Sequence, residues 1–199
     1  MLFDIIFYTL DIKETDDIMM KIFTTQVAGH FNRILEQEEE AIEDSARLLA
    51  QALIGEGILY IHGHKELQGV LLEAKNSSEP FLRVEALLDD KGQMKRPSFE
   101  DRVLLFTYRS TDSEAISLAK KLAEEGIQTV GVSASVKDEG AEHLYSITDL
   151  HIDSKLRQPL IPGEDGERYG YPALMTALYV YYALTFTMKE MLGEYNEEE

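Results

Sequence analysis

Between Asp101 and Ser135 the chain reads DRVLLFTYRSTDSEAISLAKKLAEEGIQTVGVSAS, and the order of residue types there leaves little freedom of fold. Val103 to Phe106 is an uninterrupted apolar run, the mark of a strand buried on both faces. It gives way to a short hydroxyl-rich turn, Thr107 to Ser113. Ala115, Ile116, Leu118, Ala119, Leu122 and Ala123 then recur at helical spacing. Gly126 stands where a helix stops, and Ile127, Thr129, Val130, Gly131 and Val132 form a second apolar, β-branched run. Strand, helix and strand joined this way make a parallel, right-handed unit whose ligand site lies beyond the carboxyl end of the strand.

In that unit the site falls on Tyr108, Arg109, Ser110, Thr111, Asp112 and Ser113. Hydroxyls gathered at a helix amino terminus, with an arginine beside them, suit a phosphate or another small anion. The same residues also admit a purely structural role, with Asp112 or Ser113 as the helix N-cap and Glu114 favoured by the helix dipole.

The strand, the turn Ser110-Thr111-Asp112-Ser113, the helix and the strand ending Gly131-Val132-Ser133 resemble the phosphosugar-binding segment of the sugar isomerase (SIS) domain, whose turn reads Ser-Thr-Ser-Gly-Asn-Ser. Ser113 matches the last serine, Ser110 the third position and Asp112 the asparagine, whereas Tyr108, Arg109 and Thr111 replace serine, threonine and glycine. The sequences Phe23-Thr24-Thr25-Gln26, ARLLAQA from Ala46, Gly55-Glu56-Gly57 and Tyr60-Ile61-His62-Gly63 further resemble a small bacterial family related to phosphoheptose isomerases. The resemblance implies a sugar phosphate as ligand, with Arg109, Ser110, Thr111, Asp112 and Ser113 around the phosphate. Gly63, His64, Lys65, Ser133 and Ser135 would then lie along the sugar.

Ile58 to Ile61 reads as the first central strand, delivering His62-Gly63-His64-Lys65 at its carboxyl end. In SIS domains this loop carries Gly-x-Gly and then Ser; here only Gly63 matches, which implies a different or weaker grip on the ligand. His62 and His64 alternate on an extended segment, poor geometry for a shared metal, and no metal or cofactor is expected. Phe81 to Leu88 reads as a second strand and Asp149 to Asp153 as a fifth. Five strands alternating with helices predict an α/β fold, a three-layer α/β/α sandwich with a five-stranded parallel sheet, SIS or flavodoxin-like.

Met1 to Met20 has Asp4 and Asp11 and no basic residue before Lys13, so it is no signal peptide. It reads as a poorly packed leader or an extra strand, with Met19-Met20 as an alternative start. Thr24 to Leu53 is helical in pattern, one long helix or two with a bend at the acidic Glu36 to Glu40. In SIS domains such a helix packs on a second subunit, which implies a homodimer or homotetramer; an ordinary covering helix fits the pattern equally. Lys155 to Pro172 is rich in proline and glycine and reads as a long irregular loop. Pro172 opens the last helix, and Gly193 to Glu199 reads as a frayed acidic tail. One domain over residues 21–192 is the result.

At 199 residues with a net charge of −18, the chain is long enough for one sizeable core and repels nucleic acid and anionic membranes. An anionic ligand must therefore be held by a local cluster against the global field. The absence of cysteine rules out thiolate chemistry and fits a cytoplasmic, reducing setting.

Aldose-ketose isomerisation needs a base and an acid. Phosphoheptose isomerases take a glutamate from the helix after the first loop and a glutamine and a histidine from the last helix. Tyr169 to Lys189 contains none of the three, and Glu66 and Glu73 fall out of register with the family glutamate. The sequence therefore reads as a phosphosugar-binding sensor or regulator. The alternatives are an isomerase using His64 or Glu66, and an oligomeric scaffold with a vestigial pocket.

Overall fold

The computed structural model describes residues 2–81, 83–138, 140–163 and 165–198, leaving aside the side chains of 2–17, 194 and 196–198. A long helix α1 (Leu2–Ile54) leads into β1 (Leu59–Gly63), α2 (Gly69–Asn76), β2 (Val84–Ala86), β3 (Arg102–Arg109), α3 (Ser113–Glu124), β4 (Thr129–Ala134) and β5 (Leu150–Asp153). Two short strands, β6 (Ile161–Pro162) and β7 (Arg168–Tyr169), precede the final helix α4 (Ala173–Glu198). The main sheet is parallel throughout, in the order β2-β1-β3-β4-β5. The expected five-stranded α/β sandwich is present.

Strand alternation divides the core in two. Leu59, Ile61, Leu104, Phe106, Val130 and Val132 face a layer made by α1, α2 and α4. Tyr60, Val103 and Leu105 face the opposite way, onto Ala115, Ala119 and Leu122 of α3 and onto Leu144. Phe106, Leu104 and Leu105 are each about 1% exposed. Burying a side chain of this size stabilises the fold by about 1.5–3 kcal/mol. The apolar run Val103 to Phe106 is continuous because both of its faces are covered.

At 53 residues, α1 is a rod about 80 Å long. Ile34, Ile42, Ala46 and Leu49 form its buried stripe against the core, while Glu36, Glu39 and Glu40 are exposed. Glu38 turns inward, accepting from the N–H of Asp153 at 3.0 Å and pairing with Lys155, and the acidic run does not break the helix. The open choice between one helix and two resolves to one. The stretch read as a leader or an extra strand is helical from Leu2 and continuous with α1; its side-chain packing up to residue 17 lies outside the described residues.

Other boundaries also differ from the sequence reading. The second strand shrinks to Val84–Ala86. The loop before α4 contains the small antiparallel pair β6 and β7. α4 continues through the acidic tail to Glu198, since glutamate is a good helix former and no proline interrupts it. Among the described residues, no helix is long and apolar enough to cross a membrane.

Candidate functional site

The strand order reverses direction between β1 and β3, and it is at such a switch point, outside the carboxyl ends of the strands, that parallel sheets take ligands. Two turns meet there. After β1 the chain doubles back so tightly that a Cβ on Gly63 would stand 2.2 Å from the carbonyl oxygen of Leu67, which requires glycine at this position. Lys65 follows with φ of 51°, a conformation costly for a residue with a Cβ. Gly63 is therefore fully committed to packing, and it is His64, Lys65 and Glu66 that the turn presents.

The turn after β3 does not have the form of an open anion cradle. Asp112 caps α3: its carboxylate accepts from the N–H groups of Glu114 (3.1 Å) and Ala115 (3.4 Å) and from the hydroxyl of Thr107 (2.7 Å). The structural reading of Asp112 thus holds, and a carboxylate already sits at the positive end of the helix. Ser110 is completely buried. Its hydroxyl accepts from the N–H of Val136 at 3.2 Å and lies 3.3 Å from His143 Nδ1. Its carbonyl accepts from the N–H of Leu144 at 2.7 Å. Ser110 pins the segment after β4 and does not point outward, which corrects its assignment to the phosphate. Arg109, Thr111 and Ser113 remain at or near the surface. The Arg109 carbonyl accepts from the N–H of Asp112 at 3.1 Å, while its guanidinium has neither a hydrogen bond nor an ion pair with any other described residue.

On the sugar side the expected residues separate. Ser133 lies on the α3 face of β4, buried, with its hydroxyl 2.8 Å from His151 Nε2. The crevice is on the other face, so Ser133, which the family resemblance put along the sugar, does not line it. Ser135 uses its N–H on Asp153 Oδ1 (2.9 Å) and its carbonyl on the Arg157 guanidinium (2.9 Å). Burial pushes His151 down to about 4.

The crevice itself is lined by Phe106, Thr107, Tyr108, Val132, Leu156 and Tyr171, and only about 20 Å³ of it admits the centre of a water molecule. That is room for a water or two, not for a sugar. Its stopper is Tyr108. Between Phe106 and Arg109 the register of β3 against β4 slips by one residue, a bulge that re-aims Tyr108. The Tyr108 phenol donates to the Glu66 carboxylate. Its ring meets His64 and Tyr171 edge-on at centroid distances of 5.7 and 6.0 Å, and Lys65 Nζ lies 5.6 Å from the ring centre. Burial, reinforced by the bond to Glu66, pushes Tyr108 up to about 12. The same bond holds the Glu66 carboxyl below its ordinary value. His64 Nδ1 lies 3.2 Å from Glu114 Oε2, tying the first turn to the start of α3. Tyr108, which stands at the family's serine position in the candidate turn, does line the crevice, whereas Tyr171 carries no local signal that marks it as a site residue. Among the described residues no group of three or more histidines and carboxylates is placed to hold a metal.

Over 91% of this chain and 98% of the other, the backbone superimposes on a phosphoheptose isomerase from Francisella tularensis with a TM-score of 0.52 and 12% identity. The Vibrio vulnificus NanR protein, solved with ManNAc-6P, matches over 95% of this chain and 67% of its own, with a TM-score of 0.52 and 12% identity. At such identities the likeness establishes the fold, which is that of SIS domain proteins. In sequence, the chain is 51% identical over 177 residues to the uncharacterized protein YwjG of Bacillus subtilis (strain 168), covering 89% of this chain and 99% of that one. Residues 19–192 match the family described as Domain of unknown function (DUF2529), so the chain is a member of that family, built on the SIS fold.

Proposed function

We propose that this chain is a sugar-phosphate-binding domain with a sensing or regulatory role and not a standard aldose-ketose isomerase. The observation that carries the reading is Arg109: it stands unpaired beside the hydroxyl-bearing Thr111 and Ser113, at the carboxyl edge of the sheet, in a chain with 37 acidic residues. An arginine side chain without an ion-pair partner among the described residues of so acidic a chain is available to an incoming anion. Arg109, Thr111 and Ser113 take the phosphate, and His64 and Lys65 border the sugar. Tyr108 must swing off Glu66 to admit it. The fold neighbours support the ligand class, one being a phosphoheptose isomerase and another a protein complexed with ManNAc-6P. The lack of histidine, glutamine or glutamate from Tyr169 to Lys189 argues against the isomerase machinery.

The test is a thermal-shift panel of sugar phosphates on the native chain and on Arg109→Ala with Ser113→Ala. Stabilisation by one sugar phosphate that is lost in the double variant supports the reading; no response to any member refutes it and favours the scaffold alternative. The isomerase alternative has one favourable observation, the carboxylate of Glu66 hydrogen-bonded to the phenol of Tyr108 and held below its ordinary value by that bond. Conversion of sedoheptulose 7-phosphate that is abolished by Glu66→Gln would establish it instead.

A further inference from the structure

A second concavity, of about 430 Å³, opens between α1 and the loop that follows β5. Its size falls within the roughly 300–1,000 Å³ of small-molecule sites, which the crevice beneath Tyr108 does not approach. Gln26, His30 and Arg33 line it from α1, and Lys155, Arg157 and Arg168 from the loop. No aspartate or glutamate is part of the lining, in a chain of net charge −18.

Two of these cations are neutralised from behind. Lys155 Nζ pairs with Glu38 and lies 3.4 Å from Asp153 Oδ2; Arg157 reaches the same oxygen at 3.2 Å. The side chains of Glu38 and Asp153 are only 12% and 10% exposed and are not part of the lining, so these carboxylates stand behind the basic side chains and not among them. The other two cations keep their charge. Arg168 is held by two neutral acceptors, the carbonyls of Pro159 (2.7 Å) and Leu160 (2.7 Å), which orient its guanidinium without cancelling it. Arg33 is exposed, and its guanidinium has no hydrogen-bonding or ion-pair partner among the described residues. Two uncompensated guanidinium groups therefore flank a concavity whose other two cations are braced by buried carboxylates.

We infer that this concavity is a binding site for a small oxyanion bearing two or more negative charges, a phosphate ester or a di- or tricarboxylate, gripped between Arg33 and Arg168. Planar guanidinium forks on opposite sides match the oxygen geometry of either class, and Gln26 supplies an amide for a neutral oxygen. The site is separate from the crevice beneath Tyr108 and stands whether or not a sugar phosphate enters there.

The experiment is isothermal titration of the full chain at low ionic strength with pyrophosphate and, separately, with citrate. Native protein, Arg33→Ala, Arg33→Gln and the exposed loop variant Lys91→Ala are compared. Because Arg33 is exposed and its guanidinium has no such partner among the described residues, its replacement leaves folding intact, which circular dichroism checks. Saturable binding weakened by about tenfold or more in both Arg33 variants, and unchanged in Lys91→Ala, is the expected result. Binding of pyrophosphate alone assigns the phosphate class and of citrate alone the carboxylate class; binding of both assigns the shared oxyanion chemistry. Heat from neither probe, Arg33 variants that bind like the native chain, or an equal loss in Lys91→Ala would overturn the inference.

Discussion

Tyr108 donates its phenolic proton to the carboxylate of Glu66, which holds the phenol in place where its ring lines the crevice at the carboxyl ends of β1 and β3. Tyr108 comes from a bulged strand end and Glu66 from the turn that requires Gly63, so their hydrogen bond depends on both local distortions. Tyr108→Ala is expected to open the crevice and raise the affinity for whichever sugar phosphate stabilises the native chain, at a cost of about 2 kcal/mol in stability from the lost ring. Tyr108→Phe keeps the ring and loses only an exposed hydrogen bond, so its stability should change by less than about 1 kcal/mol. Urea unfolding and ligand titration on both variants measure this; equal affinities in Tyr108→Ala and the native chain would show that the ring is no gate.

Asp112 offers a second lever at the same edge. Its carboxylate serves two helix N–H groups and the Thr107 hydroxyl, so Asp112→Ala should destabilise the fold by about 1–2 kcal/mol. Asp112→Ser keeps a capping oxygen and removes the negative charge from the amino end of α3. That variant should be stabilised by inorganic phosphate more than the native chain is, because the helix end then attracts an anion. A phosphate response in melting temperature that is the same in both proteins would show that Asp112 does not exclude anions.

Much of the fold is legible in the residues because the physics is local. Val103 to Phe106 can only be a strand covered on both faces, and Gly126, with φ of 73°, ends α3 where its type predicts. The site was legible only in part. Ser110 belongs to a hydroxyl-rich turn in sequence, yet its partners His143 and Val136 arrive from beyond β4, and no local pattern reports them. Ser133 required the facing of β4 to be known. The two-residue strands β6 and β7 disappear among prolines and glycines, and the basic concavity draws Arg33, Arg157 and Arg168 from distant segments that only the tertiary fold assembles.

Asp153 links the sheet to that concavity. Burial by itself would raise its carboxyl, but the N–H groups of Ser135 and Lys155 and the charges of Lys155 and Arg157 outweigh burial and hold it below its ordinary value. A carboxylate with a depressed folded value contributes stability that is complete above the unfolded value, about 3.9, and is lost as pH falls through the folded one. Asp153→Asn should therefore cost about 3 kcal/mol at neutral pH, by leaving Arg157 without its ion-pair partner and Lys155 paired with Glu38 alone. It should also remove part of the acid sensitivity below about pH 4. Unfolding curves at pH 7 and pH 3 decide it: a loss of equal size at both values would mean that the charge of Asp153 contributes nothing.

His151 acts in a neighbouring pH window with the same outcome on acidification. Burial lowers its value from 6.5 to about 4 while its ring stays 2.8 Å from the Ser133 hydroxyl and edge-on to Tyr145. Between those two values the unfolded chain binds a proton that the folded chain refuses, so stability falls as pH drops from about 6.5 toward 4. The loss from this residue alone is at most about 3 kcal/mol. His30 and His62 are lowered in the same direction, burial again being the main cause, and steepen the same limb. His151→Gln retains a hydrogen-bonding group for Ser133 and cannot titrate, so the slope of unfolding free energy against pH from 6.5 to 4 should become shallower than in the native chain. Guanidinium unfolding at intervals across that range measures the slope, and an unchanged slope would place the acid sensitivity of this protein elsewhere.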